Sequence, residues 1–420
     1  MINGDGFYNR PFMHSERLKM NHKKIGIYIH IPFCVRKCNY CDFNSFDTDS
    51  DTKVNYINAL CEEIRNYACS FRDYSADTVF IGGGTPSILS HDLTRQFMDC
   101  LYSNFNLVSG AEISMEANPG TLDLNKIKAY KELGINRISL GLQSTVLKEL
   151  EVLGRIHDYE TFLDSFMMLR EAGFNNINID LMNGIPEQTY DSFAEGLNKI
   201  KELNPEHISI YSLIVEEGTP FYAQKLNLPD EDEERKMVHS IPSILGDEYH
   251  QYEISNYSQK GFECRHNIKY WRREEYLGLG LSAASFINET RFKNTDNIRD
   301  YISLFKKSGS FDIIKDLIDG KETFKKNSKF YDNNIRFSEF ERLSDDDKMS
   351  EYMFLGLRMN NGIFIPEFEK KFGISVYRKY GDKIKLHIGE ELLEINEDRL
   401  FLTEKGRDLA NYVWSDFVGD

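Results

Sequence analysis

Cys34, Cys38 and Cys41 stand within eight residues of one another in segment 25–45, IGIYIHIPFCVRKCNYCDFNS. A C-x3-C-x2-C spacing lets three thiols on one loop converge on one metal centre. Three is an informative number. A closed structural zinc site takes four ligands, and most ferredoxin-type clusters take four cysteines. A three-thiolate set leaves one coordination position open for chemistry. A zinc loop would need a fourth Cys or His at finger spacing, and none stands nearby.

The elements around this loop must position it. Residues 26–32 alternate apolar and polar and end at Pro32, which reads as a strand feeding a loop. Five further short strands are expected at 78–81, 112–116, 137–141, 176–181 and 207–211, with helical patterns between them, the first at 52–72. Strands and helices alternating at this spacing imply parallel βα units. Six units fit an incomplete barrel better than an open doubly wound sheet, with later chain closing the open side. Ligands of a parallel barrel bind at the C-terminal ends of the strands, and there the unusual residues fall. Gly83, Gly84 and Thr85 follow strand two, Glu116 ends strand three and Gln143 follows strand four. Asp180 lies near the end of strand five, with Arg155 on the connection before it. Glycines admit a ligand close to the backbone, acids suit ribose hydroxyls and Arg suits a carboxylate. Each residue also has a plain structural use: a tight turn, a turn cap, a surface ion pair.

The three-cysteine loop after a strand, with Tyr40 before its last cysteine, resembles the cluster motif of the radical S-adenosylmethionine (SAM) family. The flanking YIHIPFC and CDFNS are similar to the branch that holds oxygen-independent coproporphyrinogen III oxidases and HemW-type haem chaperones. The resemblance implies a partial (β/α)6 barrel and a [4Fe-4S] cluster on Cys34, Cys38 and Cys41, with SAM on the fourth iron. It implies SAM contacts from Tyr28, Tyr40, Gly83, Gly84, Thr85, Glu116, Gln143, Arg155 and Asp180. Two residues past Cys41 stands Phe43, where the oxidases of this branch carry a further cysteine. The departure points away from oxidase activity and toward the chaperone side, leaving an oxidase or a radical methyltransferase of a tetrapyrrole as the rival.

A second stretch, Cys264-Arg265-His266-Asn267-Ile268-Lys269-Tyr270-Trp271, carries H-N-x-x-Y-W, similar to the haem-associated motif of HemW-type proteins. Histidine can ligate haem iron and aromatic rings can pack on a porphyrin face. The resemblance makes His266 the candidate haem ligand, with Cys264 as the alternative and Tyr270 and Trp271 as packing partners. The segment also reads as a structural latch on the barrel. Implied partners are haem and apo-haemoprotein recipients, with membrane-associated respiratory haemoproteins among the candidates; a homodimer stays open.

The 420 residues exceed one ordinary core. The expected division is an extension at 1–24, the barrel at 25–245, a connecting, haem-associated segment at 246–344 and a C-terminal domain at 345–420. The last is expected to be mainly helical and winged-helix-like, with a hairpin across 392–402 and a final helix capped by Thr403. Segment 308–338 reads as loops or linker. A formal charge of −16 disfavours general binding to nucleic acid or an anionic membrane. Seven scattered cysteines do not make a disulfide framework and suit a reducing cytosol. Cys61 and Cys69 are expected as packed helix residues. The N-terminus does not read as a secretory signal, and no window reaches the apolar length of a membrane span; the location expected is cytoplasmic, peripheral to the inner membrane face at most.

Overall fold

The computed structural model describes residues 22–306, 314, 315, 318 and 337–418. Residues 1–21 of the expected extension and most of segment 308–338 therefore lie outside the described residues.

Six parallel strands stand in chain order: β1 (Lys23–Ile31), β2 (Tyr74–Gly83), β3 (Leu107–Ala117), β4 (Arg137–Gln143), β5 (Ile177–Asn183) and β6 (His207–Ser212). The helices between them include α1 (Ser50–Ala68), α2 (His91–Asn104), α3 (Leu124–Glu132), α4 (Leu147–Val152), α5 (Tyr159–Glu171) and α6 (Tyr190–Glu202). The caps follow sequence rules: Asp49 accepts from Thr52 N at 2.7 Å, and Thr189 with Ser192 forms a reciprocal capping box. Helix α1 stops short of residue 72, and Cys69 in the following turn is exposed, while Cys61 is packed as expected. The turn carries Cys69 off the buried stripe.

The sheet is longer than its six βα units. After α7 (Glu231–Leu245) come strands β7 (His250–Glu253) and β8 (Asn256–Ser258); β8 pairs antiparallel with β6, and β7 pairs antiparallel with β8 at the sheet's edge. Helix α8 (Arg265–Trp271) returns the chain to the opposite edge, where β9 (Tyr276–Leu279) pairs parallel with β1. Strands β10 (Ala284–Ile287), β11 (Thr290–Asn294) and β12 (Phe337–Arg342) extend that edge antiparallel, giving twelve strands in all. The stretch between 246 and 344 is thus sheet as much as connection, and residues 337 and 338, the end of the expected linker, open β12. Its short strands are hidden from periodicity because each spans only a few residues.

The parallel strands sort their side chains by face. Ile25, Ile27, Ile29 and Ile31 point with Val79, Ile81, Ile113, Met115, Ile138, Leu140, Ile177 and Ile179 into the main apolar core against the helices. The alternate residues pair across the other face: Thr78 with Glu112, Ser114 with Arg137, Glu116 with Ser139, Ser139 with Asn178, and Asp180 with Ser209. A parallel sheet covered on both faces usually reads as continuous apolar runs. Here one face carries polar groups, which mark it as the lining of the barrel rather than its core. Each central Ile or Leu of the outer face contributes about 1.5–3 kcal/mol by burial.

The C-terminal unit has a separate core built around Met353, Phe368, Val376, Leu400, Val413 and Phe417. It contains α9 (Asp345–Gly356), α10 (Ile365–Phe372) and α11 (Val376–Gly389), with a three-stranded sheet ordered β13 (Ile363–Phe364), β15 (Arg399–Leu402), β14 (Leu393–Asn396). The arrangement is mainly helical and winged-helix-like. Thr403 caps as expected, accepting from Gly406 N at 2.9 Å, but the last helix is split at Leu409 into Glu404–Asp408 and Ala410–Phe417. Among the described residues no helix is long and apolar enough to cross a membrane.

Candidate functional site

The cysteine loop leaves β1 at Pro32 and is tied on every side. Cys34 N donates to Phe46 O at 3.0 Å, and Asn39 N to Leu153 O at 2.9 Å beyond α4. Asn39 O accepts from Phe221 N at 3.0 Å, and its amide donates to Val152 O at 2.8 Å. Tyr40 packs against a satellite apolar cluster of Leu153, Met182, Ile185 and Phe221. Asn39 was not foreseen as important; its place between two loop cysteines was the available signal.

Cys34, Cys38 and Cys41 are free thiols, and Cys34 is buried. Burial raises the Cys41 thiol, and the neighbouring Cys38 and Cys34 raise it further, so the trio shares one electrostatic environment. Thr85 Oγ1 donates to Cys34 Sγ at 3.6 Å and Arg155 Nη1 to Cys38 Sγ at 3.6 Å. Both sulfurs thus have a polar hydrogen aimed at them from the strand-end residues. Among the described residues no His, Cys, Asp or Glu group converges on a single metal ion.

The glycine turn is built against this loop. Gly84 N donates to Ile31 O at 2.8 Å and Thr85 N to Phe33 O at 2.7 Å. A Cβ on Gly84 would lie 2.7 Å from Phe33 O. Gly83 has φ +110°, and a Cβ there would run into the His30 ring. Only glycine fits either position. Gly83 N donates to Glu116 Oε2 at 3.0 Å, which joins the turn to the end of β3.

Arg155 reaches across the strand ends, donating from Nη2 to Asn118 Oδ1 at 2.8 Å and Gly141 O at 2.6 Å. Asn118 in turn donates to Thr85 Oγ1 at 2.8 Å. Asn118 thus links two expected SAM residues, and only the Asn-Pro turn signal marked it in the sequence. The Arg155 Nε is buried with no partner, an unused donor beside Cys38. Gln143, at the end of β4, holds φ +75°, a left-handed conformation that a non-glycine residue adopts at a cost and that concentrates at ligand sites.

Two carboxyls, Glu116 on β3 and Asp180 on β5, lie on the barrel lining with only β4 between their strands. Burial pushes the Glu116 carboxyl up to about 8, with the Asp180 charge adding to the rise and the Gly83 N–H opposing it. Asp180 is also raised by burial, against bonds from Ser139 Oγ at 3.0 Å and Asn178 Nδ2 at 2.8 Å. It stands in mid-strand rather than at the rim. Tyr28 shares a 3.0 Å hydrogen bond with His30 Nδ1, while His30 Nε2 bonds to Asn44 O at 3.1 Å. A glycine turn, Glu116, an arginine and a three-thiol loop therefore meet at the strand ends, with Asp180 deeper in the barrel lining, and an unused guanidinium N–H beside them suits the carboxylate of an amino-acid ligand.

The motif helix α8 behaves differently from the ligand expectation. His266 is fully buried. Its Nδ1 bonds Thr78 Oγ1 at 2.8 Å and its Nε2 bonds Tyr270 OH at 2.8 Å. Both ring nitrogens are therefore engaged, and burial with Lys269 nearby holds the imidazole down at about 3. Cys264 is buried too, its thiol pushed up to about 12 by burial and then by Glu112. Lys269 bridges Asp77 at 2.9 Å and Glu274 at 2.8 Å. The first part of the motif is a latch into the barrel lining. Its end is not: Tyr270 and Trp271 border a cavity of about 830 Å³ that reaches Tyr28 and residues Asp42 to Asn44 of the cysteine loop. Phe43 is 60% exposed on that wall.

A parallel βα barrel carrying this loop at its strand ends defines a radical SAM protein, and residues 28–200 match the Radical SAM superfamily model. Residues 343–409 match the model of the HemN C-terminal domain. The chain is 35% identical over 399 residues to a protein named "Heme chaperone HemW" from Bacillus subtilis, covering 94% of this chain and 99% of that one. A protein of the same name from Lactococcus lactis is 35% identical over 96% of this chain and 99% of its own. The chain belongs to the HemW family of radical SAM proteins. Its fold also matches a solved structure of coproporphyrinogen III oxidase (HemN) from Escherichia coli, with a TM-score of 0.78 at 23% identity over 94% of this chain and 90% of that one.

Proposed function

We propose that this chain is a haem chaperone, which binds haem and hands it to an apo-haemoprotein while carrying a [4Fe-4S] cluster and SAM. Membrane-associated respiratory haemoproteins are the recipient class, and the protein works in the cytoplasm, at the inner face of the membrane where it meets them. The observation that carries the reading is the cavity beside the cysteine loop. At about 830 Å³ it lies within the usual range for organic ligands. Tyr28, Tyr270, Trp271 and Tyr276 line it with rings, and Arg273, Arg291 and Lys293 with positive charge. A flat macrocycle with anionic side groups calls for that pairing of apolar faces and cations.

Cys34, Cys38 and Cys41 would hold the cluster, which supplies a coordination position and an electron for SAM. Glu116, Asp180, Arg155, Gln143 and the Gly83–Gly84 backbone would hold SAM by its ribose, amino acid and backbone-facing edges. The strand ends orient these groups, and α8 closes the barrel beneath them against water.

The rival is a radical SAM enzyme acting on a tetrapyrrole, as the fold shared with the oxidase suggests. Phe43, where a cysteine would be expected for oxidase chemistry, weighs against it. Titration of the purified protein with haemin should give a stoichiometric Soret complex whose haem moves to an apo-haemoprotein. Anaerobic incubation with coproporphyrinogen III, SAM and a reductant should give no protoporphyrinogen. Turnover at enzymatic rates would overturn the chaperone reading.

A further inference from the structure

The turn after α8 holds an arginine in an unusual state. Helix α8 ends with Arg273 N donating to Tyr270 O at 3.1 Å and Glu274 N to Lys269 O at 2.9 Å. The residue after a helix commonly takes the left-handed conformation, and glycine usually supplies it. Here Arg273 takes it, with φ +56°. The strained backbone turns the side chain inward, where it is 1% exposed. Its Nε donates to Glu351 Oε2 at 2.8 Å, its Nη2 pairs with Glu289, and its Cζ stacks 4.7 Å from the Phe286 ring centroid. The third nitrogen, Nη1, is buried with no partner among the described residues. The Trp271 indole N–H, two residues back, is also buried and has no partner among the described residues.

Two buried donors without acceptors are costly, and native structures avoid them unless water or a ligand completes the set. Both residues border the cavity of about 830 Å³ and also a second one of about 650 Å³ between the barrel and the C-terminal unit. The guanidinium is held flat and in place by Glu351, which also accepts from Arg291 Nε at 2.8 Å. On a guanidinium so fixed, Nη1 is the one nitrogen without an acceptor among the described residues, and a ligand carboxylate would complete it.

We propose that Arg273, together with the Trp271 N–H, is the subsite that receives a propionate carboxylate of the tetrapyrrole. The proposal rests on the haem reading above and adds which end of the ligand enters and what holds it. The macrocycle then lies toward Tyr28 and Tyr270, and its carboxylate edge toward the C-terminal unit. Recognition is by carboxylate and ring face, without a demand on His266.

The test is Soret titration with haemin and with haemin dimethyl ester, which removes both carboxylate charges and leaves the ring intact. The wild-type protein should bind haemin about tenfold to a hundredfold more tightly than the ester. Arg273→Gln should lower haemin affinity to that of the ester and leave ester binding unchanged, and Arg273→Lys should restore part of the preference. Equal wild-type affinity for the two ligands overturns the subsite while leaving the haem reading intact. Absence of haemin binding by the wild type overturns both. The wild-type comparison does not depend on whether any variant folds.

Discussion

Glu116 sits in an environment far from the one its type usually takes. A carboxyl held up at about 8 binds its proton more tightly in the folded chain than in the unfolded one, where the value is 4.5. The folded state then carries more protons than the unfolded state between those two values. Stability is greatest below about 4.5 from this group and falls as the pH rises to about 8. Above pH 6.5, where buried His266 no longer adds stability with rising pH, the protein without SAM or cluster should lose melting temperature toward pH 8 through Glu116, and Glu116→Gln should flatten that slope. Thermal denaturation across the range checks it; an identical slope in the variant would place the titrating group elsewhere. The same residue scale explains what sequence reasoning reached. Cys34, Cys38, Cys41, Gly83, Gly84 and Glu116 were legible because their spacing and type are rare. Asn118 and Arg273 were not, because an Asn after a strand and an Arg after a helix are common, and only the fold shows one bridging Thr85 to Arg155 and the other left with an unpaired N–H.

At the scale of the element, α8 shows how one short helix can serve two ends. Its start is bound to Glu112, which accepts from Arg265 N and His266 N at 3.0 Å each. Its end sets Tyr270, Trp271 and Arg273 on the cavity wall. The polar face of β2 and β3 makes this possible, since Thr78 and Glu112 are inward partners in register. His266→Ala would leave Thr78 and Tyr270 hydroxyls without their buried partner. That should cost about 2 kcal/mol in urea denaturation while the Soret position of bound haem stays where it is in the wild type. A shifted Soret band with unchanged stability would instead make the imidazole an iron ligand. The helical and parallel-strand pattern of 25–212 was readable from periodicity, but strand lengths were not. β2 and β3 run several residues beyond their expected starts through polar stretches at Ser75–Asp77 and Ser109–Gly110, where register shifts interrupt the alternation.

Over the whole molecule, the sheet ends on two different partners. The C-terminal unit grips both: Arg358 pairs with fully buried Glu253 at 2.8 Å near β7, while Glu351 takes Arg273 and Arg291 near β11. Segment 246–344 thus carries the cavity's outer wall on strands too short for any sequence period to reveal, and the C-terminal unit buttresses it. The barrel supplies the cysteine loop and the strand-end site; the added strands and the C-terminal unit supply the aromatic and cationic cavity next to it. Haem and cluster would then be neighbours by construction, separated by the loop that bears Phe43.

The central claim is that three thiolates hold a cluster with one iron left for SAM. Electron paramagnetic resonance of the anaerobically reconstituted, reduced protein tests it most directly. The account predicts a [4Fe-4S]+ signal that changes on addition of SAM and vanishes in Cys38→Ala. A signal indifferent to SAM, or one that survives loss of Cys38, would contradict it.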